Sequence, residues 1–359
     1  MRDLTVDQLD DMAVGAAVLG TGGGGDPYVG KLMARSAMTG RPPVKLVSFD
    51  ELDDDDLIVP TAMMGAPTVM VEKVPSGEEI IQAFQALEAY LGRKITATMS
   101  IEAGGVNSMV PITVAARLGI PLVDGDTMGR AFPELQMVTP TLWGITSTPM
   151  AMADDKGNSA ILNTITNRWA ETFARDVAVN MGAAAYIAIY AMTGKQLKEA
   201  AIPGTMSLIG EIGKVLREAR EQHVDPISAV TGITKGYPIW TGKVGDIDRR
   251  TVGGFARGTA KIDGTGEFAG RTLEVDFQNE FLIARAGDDV LATTPDLITM
   301  LDAETGEPIT TEHLRYGFRV VVIGIPSDIR WRSEAGLQLV GPSYFGYDVP
   351  FTPIEERFG

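Results

Sequence analysis

Two aspartates that follow a short apolar run are the clearest candidates for chemistry in this chain. Residues 120–123 are apolar, and the run ends abruptly at Asp124, Gly125 and Asp126. This pattern is typical of a buried parallel strand, and ligands bind at the carboxyl edge of such sheets. Two carboxylates on one turn repel each other unless a cation, a proton or hydrogen bonds stabilise them. An ordinary Asp-Gly turn is the alternative, because this pair is common in turns.

Another acidic side chain follows the preceding predicted strand. The run 95–99 is predicted to be a strand, and Glu102 and Asn107 lie in the loop after it. Because the carboxyl ends of parallel strands share one edge, we expect Glu102 to approach Asp124 and Asp126. Three carboxylates can hold a hard divalent cation, or act without metal as a general acid–base set. We therefore expect these three residues to be catalytic and to be the ligands of any metal ion. Asn107 is expected to contact the substrate.

A glycine-rich segment near the N-terminus is a candidate for binding an anion. The segment 20–27 contains Gly22, Gly23, Gly24 and Gly25 between two predicted helices. Glycines leave backbone amides accessible, and the amides and dipole of a following helix attract anions. The segment lacks the Gly-Lys-Ser/Thr of a P-loop and follows a helix rather than a strand, so no nucleotide or flavin is expected. We expect these four glycines to bind a carboxylate of the substrate, with a flexible connector as the alternative.

Arg130 is the candidate cation of the same region. Its guanidinium can bind a substrate carboxylate or an anionic ring through paired hydrogen bonds. The alternative is a structural ion pair with Glu134, which lies one helical turn further along the chain. A second pair with the same spacing, Glu171 and Arg175, is interpreted as a surface ion pair on a helix.

Composition excludes several kinds of site. The chain has 359 residues, no cysteine and two histidines, His223 and His313. Thiolate nucleophiles, disulfides and cysteine-based metal centres are therefore excluded, and both histidines are interpreted as structural. With a net charge of -16, the chain lacks the basic face that nucleic acids and anionic membranes require. No apolar run reaches the roughly 18 residues of a membrane span and no signal-peptide pattern is present, so we expect a cytoplasmic protein.

Apolar periodicity predicts the elements that position these residues. Strands and helices alternate through the first 135 residues, which predicts α/β/α layers around a mostly parallel sheet. From about residue 233, short alternating segments separated by Gly and Asp turns predict a small β-barrel or sandwich. We place an N-terminal domain at 1–167, carrying the glycine-rich and acidic loops. A C-terminal domain at 168–359 has helices followed by β-structure that caps the carboxyl edge of the sheet.

Four segments together resemble the DUF917 family, which is associated with S-methyl thiohydantoin desulfurase. They are the glycine-rich loop 20–27, Glu-Ala-Gly-Gly at 102–105, the block 123–134, and Phe-Gly-Tyr-Asp-Val-Pro at 345–350. The block 123–134 is the most specific of the four, and the resemblance covers nearly the whole chain. It implies an N-terminal α/β/α domain and a barrel-like C-terminal domain. It also implies hydrolytic removal of sulfur from a five-membered thiohydantoin-type ring.

The expected function follows from this resemblance. We expect a hydrolase that releases methanethiol or hydrogen sulfide from an S-methyl thiohydantoin or related thiohydantoin and leaves a hydantoin. Asp124 or Asp126 would activate water, with Glu102 and any metal assisting. Two alternatives stay open. One is a hydrolase or isomerase of another hydantoin- or lactam-type cyclic imide, and the other is a non-catalytic subunit of a hydantoinase-like system. The expected partner is the small-molecule substrate, with no nucleic acid or membrane, and a homo-oligomer is expected.

Overall fold

The computed structural model describes residues 1–65, 75–252 and 255–359. The sequence also predicts strands at 57–64 and 253–262. Residues 66–68, in the loop expected after the first of these strands, and residues 253–254, at the start of the second, lie outside the described residues. The helices are α1 Leu9–Leu19, α2 Pro27–Met38, α3 Glu78–Leu91, α4 Val110–Leu118, α5 Thr139–Leu142, α6 Asn167–Asn180, α7 Gly194–Ala200, α8 Thr205–Gln222, α9 Pro226–Thr234, α10 Glu334–Val340 and α11 Ile354–Phe358.

The strands divide between the two halves of the chain. Those up to residue 203 are β1 Arg2–Leu4, β2 Val44–Val47, β3 Leu57–Gly65, β4 Ala97–Ser100, β5 Leu122–Val123, β6 Gly125–Asp126, β7 Met150–Ala153, β8 Ser159–Leu162, β9 Ala184–Ala188, β10 Met192–Thr193 and β11 Ile202–Pro203. Those after it are β12 Tyr237–Val252, β13 Phe255–Gly264, β14 Thr272–Gln278, β15 Glu280–Ala286, β16 Asp289–Thr293, β17 Leu297–Asp302 and β18 Arg319–Ile325.

The first sheet has a parallel centre and antiparallel edges. Among the described residues it contains nine strands in the order β1-β2-β5-β4-β3-β9-β7-β8, with β10 also paired to β3. Strands β2, β5, β4 and β3 run parallel. Strand β1 is antiparallel on one side, and β9, β7 and β8 are antiparallel on the other. The carboxyl ends of the parallel strands therefore meet at one edge, as the sequence predicted.

Strand β3 explains why helices cover both faces of this sheet. Ile58, Ala62 and Met64 pack in a core that includes the buried alanines of α6. Val59 and Met63 pack in a different core, which includes apolar residues of α3. Because alternate residues of a strand point to opposite faces, a run that is apolar on both faces, such as β3, is stable only between two layers. The α/β/α arrangement is confirmed.

The second sheet is antiparallel and barrel-like. Seven strands of the described chain follow the order β16-β15-β14-β13-β12-β18-β17, and each neighbouring pair is antiparallel. They curve as a half-barrel around an apolar core that includes Trp240, Phe281 and Met300. Together the two sheets confirm the predicted fold class. No helix in the described ranges is both long and apolar enough to span a bilayer.

Residues that follow the predicted domain boundary complete the first sheet. Helix α6 begins at residue 167 and strands β9 and β10 lie beyond it, yet all three pack on or pair with the first sheet. The reason is that β3 needs a neighbour on the side away from β4, and β9 supplies it through five antiparallel residue pairs. The α/β/α layers around the first sheet are thus completed by residues from the predicted C-terminal domain.

Candidate active site

A cleft lies between the carboxyl edge of the parallel strands and the start of β15. Its cavity volume is about 80 Å³, which is smaller than the roughly 300–1,000 Å³ of typical small-molecule sites. The N-terminal half contributes Glu102, Asn107 and Glu134 to its wall, and the C-terminal half contributes Arg175 and Glu280. The cleft is therefore complete only when both halves are folded together.

Glu102 reaches the cleft from the loop that follows β4, as the sequence predicted. The hydroxyl of Ser100 donates to the backbone carbonyl of Glu102 and closes the turn. Nδ2 of Asn107 donates to Oε1 of Glu102 at 2.7 Å, and Oδ1 of Asn107 accepts from the backbone N–H of Met63 at 2.7 Å. Asn107, predicted to contact the substrate, thus holds Glu102 against the end of β3 while it lines the cleft.

Glu280 is the acidic residue that sequence reasoning missed. It is the first residue of β15 and follows Asn279, whose backbone has a positive φ of 59°. Oε1 of Glu280 accepts from the backbone N–H of Gly24 at 3.2 Å, whereas Oε2 is buried and has no hydrogen-bond partner among the described residues. The signal in the sequence was a carboxylate at the start of a mostly apolar strand, because a buried charge is costly unless it is paired.

The carboxyls of Glu102 and Glu280 are coupled in their ionisation. Burial raises the pKa of Glu280 to about 7. Burial, followed by the negative charge of Glu280, raises the pKa of Glu102 well above its usual range. Two like charges close together in a site with little water favour a state in which one carboxyl keeps a proton. At neutral pH the pair can therefore supply one acid and one base.

The glycine-rich loop packs against Glu280, and the N–H groups of Gly23 and Gly24 are bonded within the protein. Of Gly22, Gly23, Gly24 and Gly25, only Gly24 lines the cleft, and its N–H is bonded to Glu280. A Cβ on Gly23 would overlap the same carboxylate. The glycines therefore allow a close approach between two backbone segments. The predicted binding of a substrate carboxylate by this loop is corrected, because the carboxylate at Gly24 belongs to the protein.

Asp126 is buried beneath the cleft, where it connects two loops. Its Oδ2 accepts from the backbone N–H groups of Ala103, Met128 and Gly129 at 2.6, 3.0 and 2.7 Å. Burial raises its pKa to about 7, although these three donors act in the opposite direction. Its charge also contributes to the raised pKa of Glu102. Asp126 is thus close to Glu102, as predicted, but it does not line the cleft.

The carboxylate of Asp124 binds the N-terminus of α8 and does not line the cleft. It accepts from the backbone N–H of Ser207 at 2.8 Å and from the hydroxyl of the same residue, in the first turn of α8. No group of three or more His, Cys, Asp or Glu side chains in the described parts of the chain is arranged to hold a metal ion. The expected convergence of Glu102, Asp124 and Asp126 is therefore wrong for Asp124, because its carboxylate is bonded to the first turn of the distant helix α8.

Arg130 is fully buried and its guanidinium does not line the cleft. All five of its N–H groups donate to protein oxygens. The acceptors are the backbone carbonyls of Ala131, Pro295, Asp296 and Phe281 and the hydroxyl of Thr21. The predicted contact with a substrate anion is corrected, because no donor remains for a ligand. The alternative ion pair with Glu134 is not formed either; Arg130 joins the glycine-rich loop to β15.

The pair of Glu171 and Arg175 is part of the cleft and not a simple surface ion pair. Nε of Arg175 donates to Oε1 of Glu171 at 2.6 Å, and Oε2 of Glu171 accepts from the backbone N–H of Leu135 at 3.0 Å. Arg175 also lies over the ring of Phe255, 4.2 Å from its centroid. The i,i+4 spacing correctly predicted an ion pair between Glu171 and Arg175. The predicted exposure of this pair is wrong, because α6 turns the face that carries it toward the sheet edge.

Glu134 forms the wall of the cleft that is nearest the C-terminal tail. The hydroxyl of Tyr344 donates to its Oε2 at 2.7 Å, and the amide of Gln136 donates to Tyr344 at 3.1 Å. Tyr344 belongs to a short 3-10 helix, Pro342–Phe345. The aromatic tail therefore fixes an acidic residue of the cleft.

Comparison with known proteins agrees with this two-part organisation. Residues 7–164 match the S-Me-THD-like N-terminal domain, and residues 165–354 match the S-Me-THD-like C-terminal domain. No curated protein sequence matches the chain. A crystal structure of a protein from Chromobacterium violaceum is similar over 99% of this chain and 100% of its own, with 25% sequence identity and a TM-score of 0.83. The chain therefore belongs to the S-Me-THD-like family, the S-methyl thiohydantoin desulfurase-like family that its four sequence segments resemble.

Proposed function

We propose that this protein is a hydrolase that removes sulfur from a five-membered thiohydantoin-type ring. The preferred substrate class is an S-methyl thiohydantoin, which would release methanethiol and leave a hydantoin. An unmethylated thiohydantoin would release hydrogen sulfide instead. The observation that carries this proposal is the buried pair of Glu102 and Glu280 in one cleft, with a raised pKa on both carboxyls. Family membership supports the same class of chemistry.

The first step uses one carboxyl as a base and the other as an acid. Oε2 of Glu280, which has no hydrogen-bond partner among the described residues, takes a proton from water. The water oxygen attacks the ring carbon that bears sulfur, and the electrons of the carbon–nitrogen double bond move to nitrogen. Glu102 then gives its proton to that nitrogen. General acid–base catalysis of this kind contributes about 100- to 10,000-fold in rate.

The second step reverses the two roles. Glu102, now ionised, accepts the proton of the newly added hydroxyl while the carbon–sulfur bond breaks. Glu280 gives the proton that it took from water to the departing thiolate, which leaves as methanethiol. The ring keeps the water oxygen as a carbonyl and one water proton on nitrogen. Both carboxyls return to their starting states, so one water is consumed for each thiol released.

The direct test measures thiol release by purified variants with an S-methyl thiohydantoin as substrate. Glu280→Gln and Glu102→Gln keep the size of each side chain and remove its proton chemistry, and each is expected to lower the rate by about 100- to 10,000-fold. Glu274→Gln is the matched control, because Glu274 is 43% exposed and pairs with Lys261 on the second sheet. It should keep the wild-type rate.

Isotope labelling and pH dependence sharpen the test. In water enriched in oxygen-18, the hydantoin should carry one label, because its new carbonyl oxygen comes from solvent. The rate should rise with pH through about 7 as Glu280 ionises and fall again when Glu102 loses its proton.

If both glutamine variants keep the wild-type rate, the proposed pair is not catalytic. Ring opening without thiol release would identify a different cyclic-imide reaction, and binding without turnover would identify a ligand-binding protein.

A further inference from the structure

Helix α6 has two faces with different roles. One face is buried and carries Glu171 toward the cleft. The other face presents apolar side chains to solvent: Trp169 is 48% exposed, Phe173 46% and Val179 64%, and Ile165, just before the helix, is 87% exposed. The rings of Trp169 and Phe173 contact each other with centroids 5.4 Å apart. We call the exposed side chains of residues 165–179 the α6 face.

The apolar area of the α6 face is large for a monomer surface. A fully exposed aromatic side chain presents about 150–250 Å², so these four side chains together present on the order of 400–500 Å² of apolar surface. This is close to the largest apolar patch of a typical monomer, roughly 300–600 Å², and such patches are often interaction sites. A standard interface buries roughly 800 Å² on each partner, so the apolar side chains would supply about half of it and their polar neighbours the rest.

The charges of the α6 face are arranged to pair with a second copy of themselves. Thr172 lies at the centre of the exposed face, Arg168 is four residues before it and Asp176 four residues after it. In an antiparallel pair of α6 helices related by a two-fold axis at Thr172, each Arg168 lies opposite the partner subunit's Asp176. Ile165 and Val179 are also equidistant from Thr172, so each apolar end meets the other. Such a self-complementary patch is the requirement for an isologous dimer.

We propose that the α6 face is the interface of a two-fold symmetric homodimer. The two helices pack antiparallel, with Trp169 and Phe173 providing the apolar contact and Arg168 and Asp176 setting the register. The face carries one cation and one anion, so pairing two copies brings no net charge together at the contact. This matters because the whole chain has a net charge of -16, and a contact through an acidic surface would be repulsive.

The first experiment measures the mass of the full-length protein by sedimentation at micromolar concentrations. The wild type should be a dimer. Phe173→Glu places a charge at the apolar centre twice in each dimer and should raise the dissociation constant by at least about 100-fold. Val224→Glu adds the same charge at a 54% exposed apolar position after α8 and should leave the dimer unchanged. A monomeric wild type, or a Phe173→Glu protein that still forms dimers, overturns the proposal.

A charge exchange tests the antiparallel register. Asp176→Arg alone leaves the contact of Arg168 with the Tyr344 ring in place, but it sets two cations against each other and should weaken the dimer by about tenfold or more. Arg168→Asp alone should weaken it in the same way. The double variant restores opposite charges and should recover the dimer. Thermal unfolding checks that each variant is folded. If the double variant is as weak as the single variants, the proposed register is wrong.

Discussion

At the scale of single residues, the candidate site is defined by carboxylates kept out of water. Glu280 is 2% exposed and Glu102 is 5% exposed, so desolvation disfavours their charged forms and raises the pKa of each. A buried carboxyl without a full set of hydrogen bonds destabilises the folded protein, and this cost is typical of positions where the proton is needed for chemistry. The unpartnered Oε2 of Glu280 fits this description.

Replacing Glu280 should change how stability depends on pH. The pKa of Glu280 is raised from 4.5 to about 7, so between these values the folded protein keeps a proton that the unfolded chain has lost. The free energy of unfolding therefore falls as pH rises through this window, by roughly 3 kcal/mol from this group. In Glu280→Gln this contribution is absent, and the decline between pH 5 and pH 8 should be shallower. Urea denaturation at both pH values measures it. An unchanged decline would show that Glu280 ionises normally.

At the scale of elements, a carboxylate that follows a strand can be bound by the N-terminus of a helix as well as by a ligand at the sheet edge. Asp124 and Asp126 follow one short strand, yet their carboxylates accept from backbone N–H groups of different segments. Asp124 accepts from a backbone N–H in the first turn of α8. Asp126 accepts from backbone N–H groups in the loop after β4 and in the loop after β6. Helix N-termini have unpaired N–H groups that attract carboxylates. For this reason an aspartate at the carboxyl end of a strand need not belong to a binding or catalytic site.

Asp124→Ala should affect stability and not chemistry. The variant leaves the N–H of Ser207 without its acceptor, so the free energy of unfolding should fall by about 1–2 kcal/mol. Thiol release should stay at the wild-type level, because Asp124 does not line the cleft. Asp225→Ala is the matched control, since Asp225 caps α9 in the same manner and should give a similar loss of stability. A folded Asp124→Ala protein that is about 100-fold slower would return Asp124 to a catalytic role.

At the scale of the whole molecule, the two halves are joined at the glycine-rich loop. The backbone N–H of Phe281 donates to the carbonyl of Thr21 at 2.7 Å, and the hydroxyl of Thr311 donates to the carbonyl of Gly22 at 3.0 Å. Arg130 adds its bonds to the carbonyls beside β17. The second sheet thus holds the N-terminal loop in place and brings Glu280 to the carboxyl edge of the first sheet.

The segment 1–167 alone should not fold cooperatively. It would lose β9, which pairs with β3 along one side, and the alanines of α6 that complete one core. An unpaired central strand with both faces apolar is an aggregation-prone edge. We expect the fragment to unfold without a sharp transition in urea and to lack the near-ultraviolet circular dichroism of the full chain. A cooperative transition in the fragment would show that the first 167 residues form a self-sufficient domain.

The sequence by itself determined most of the helices and strands and the two-sheet architecture. Helices and strands have local apolar periods, so β3 and α3 are predictable from neighbouring residues alone. The loop that carries Glu102 and Asn107 was predictable for the same reason, because polar residues directly after a buried strand lie at its carboxyl end. The expected closeness of Glu102 and Asp126 also holds, since adjacent parallel strands end side by side.

Only the tertiary structure decided which carboxylates and cations face the cleft. Glu280 arrives from a different sheet, and no local pattern relates it to Glu102. Arg130 was chosen for its charge, but its surroundings depend on how the two halves pack. Four backbone carbonyls and the hydroxyl of Thr21 accept all of its N–H groups. Asp124 is not in the cleft because its carboxylate binds the N-terminus of α8, a helix that is distant in sequence. Local periodicity fixes the elements because it acts between neighbours, whereas a site depends on which distant surfaces exclude water together.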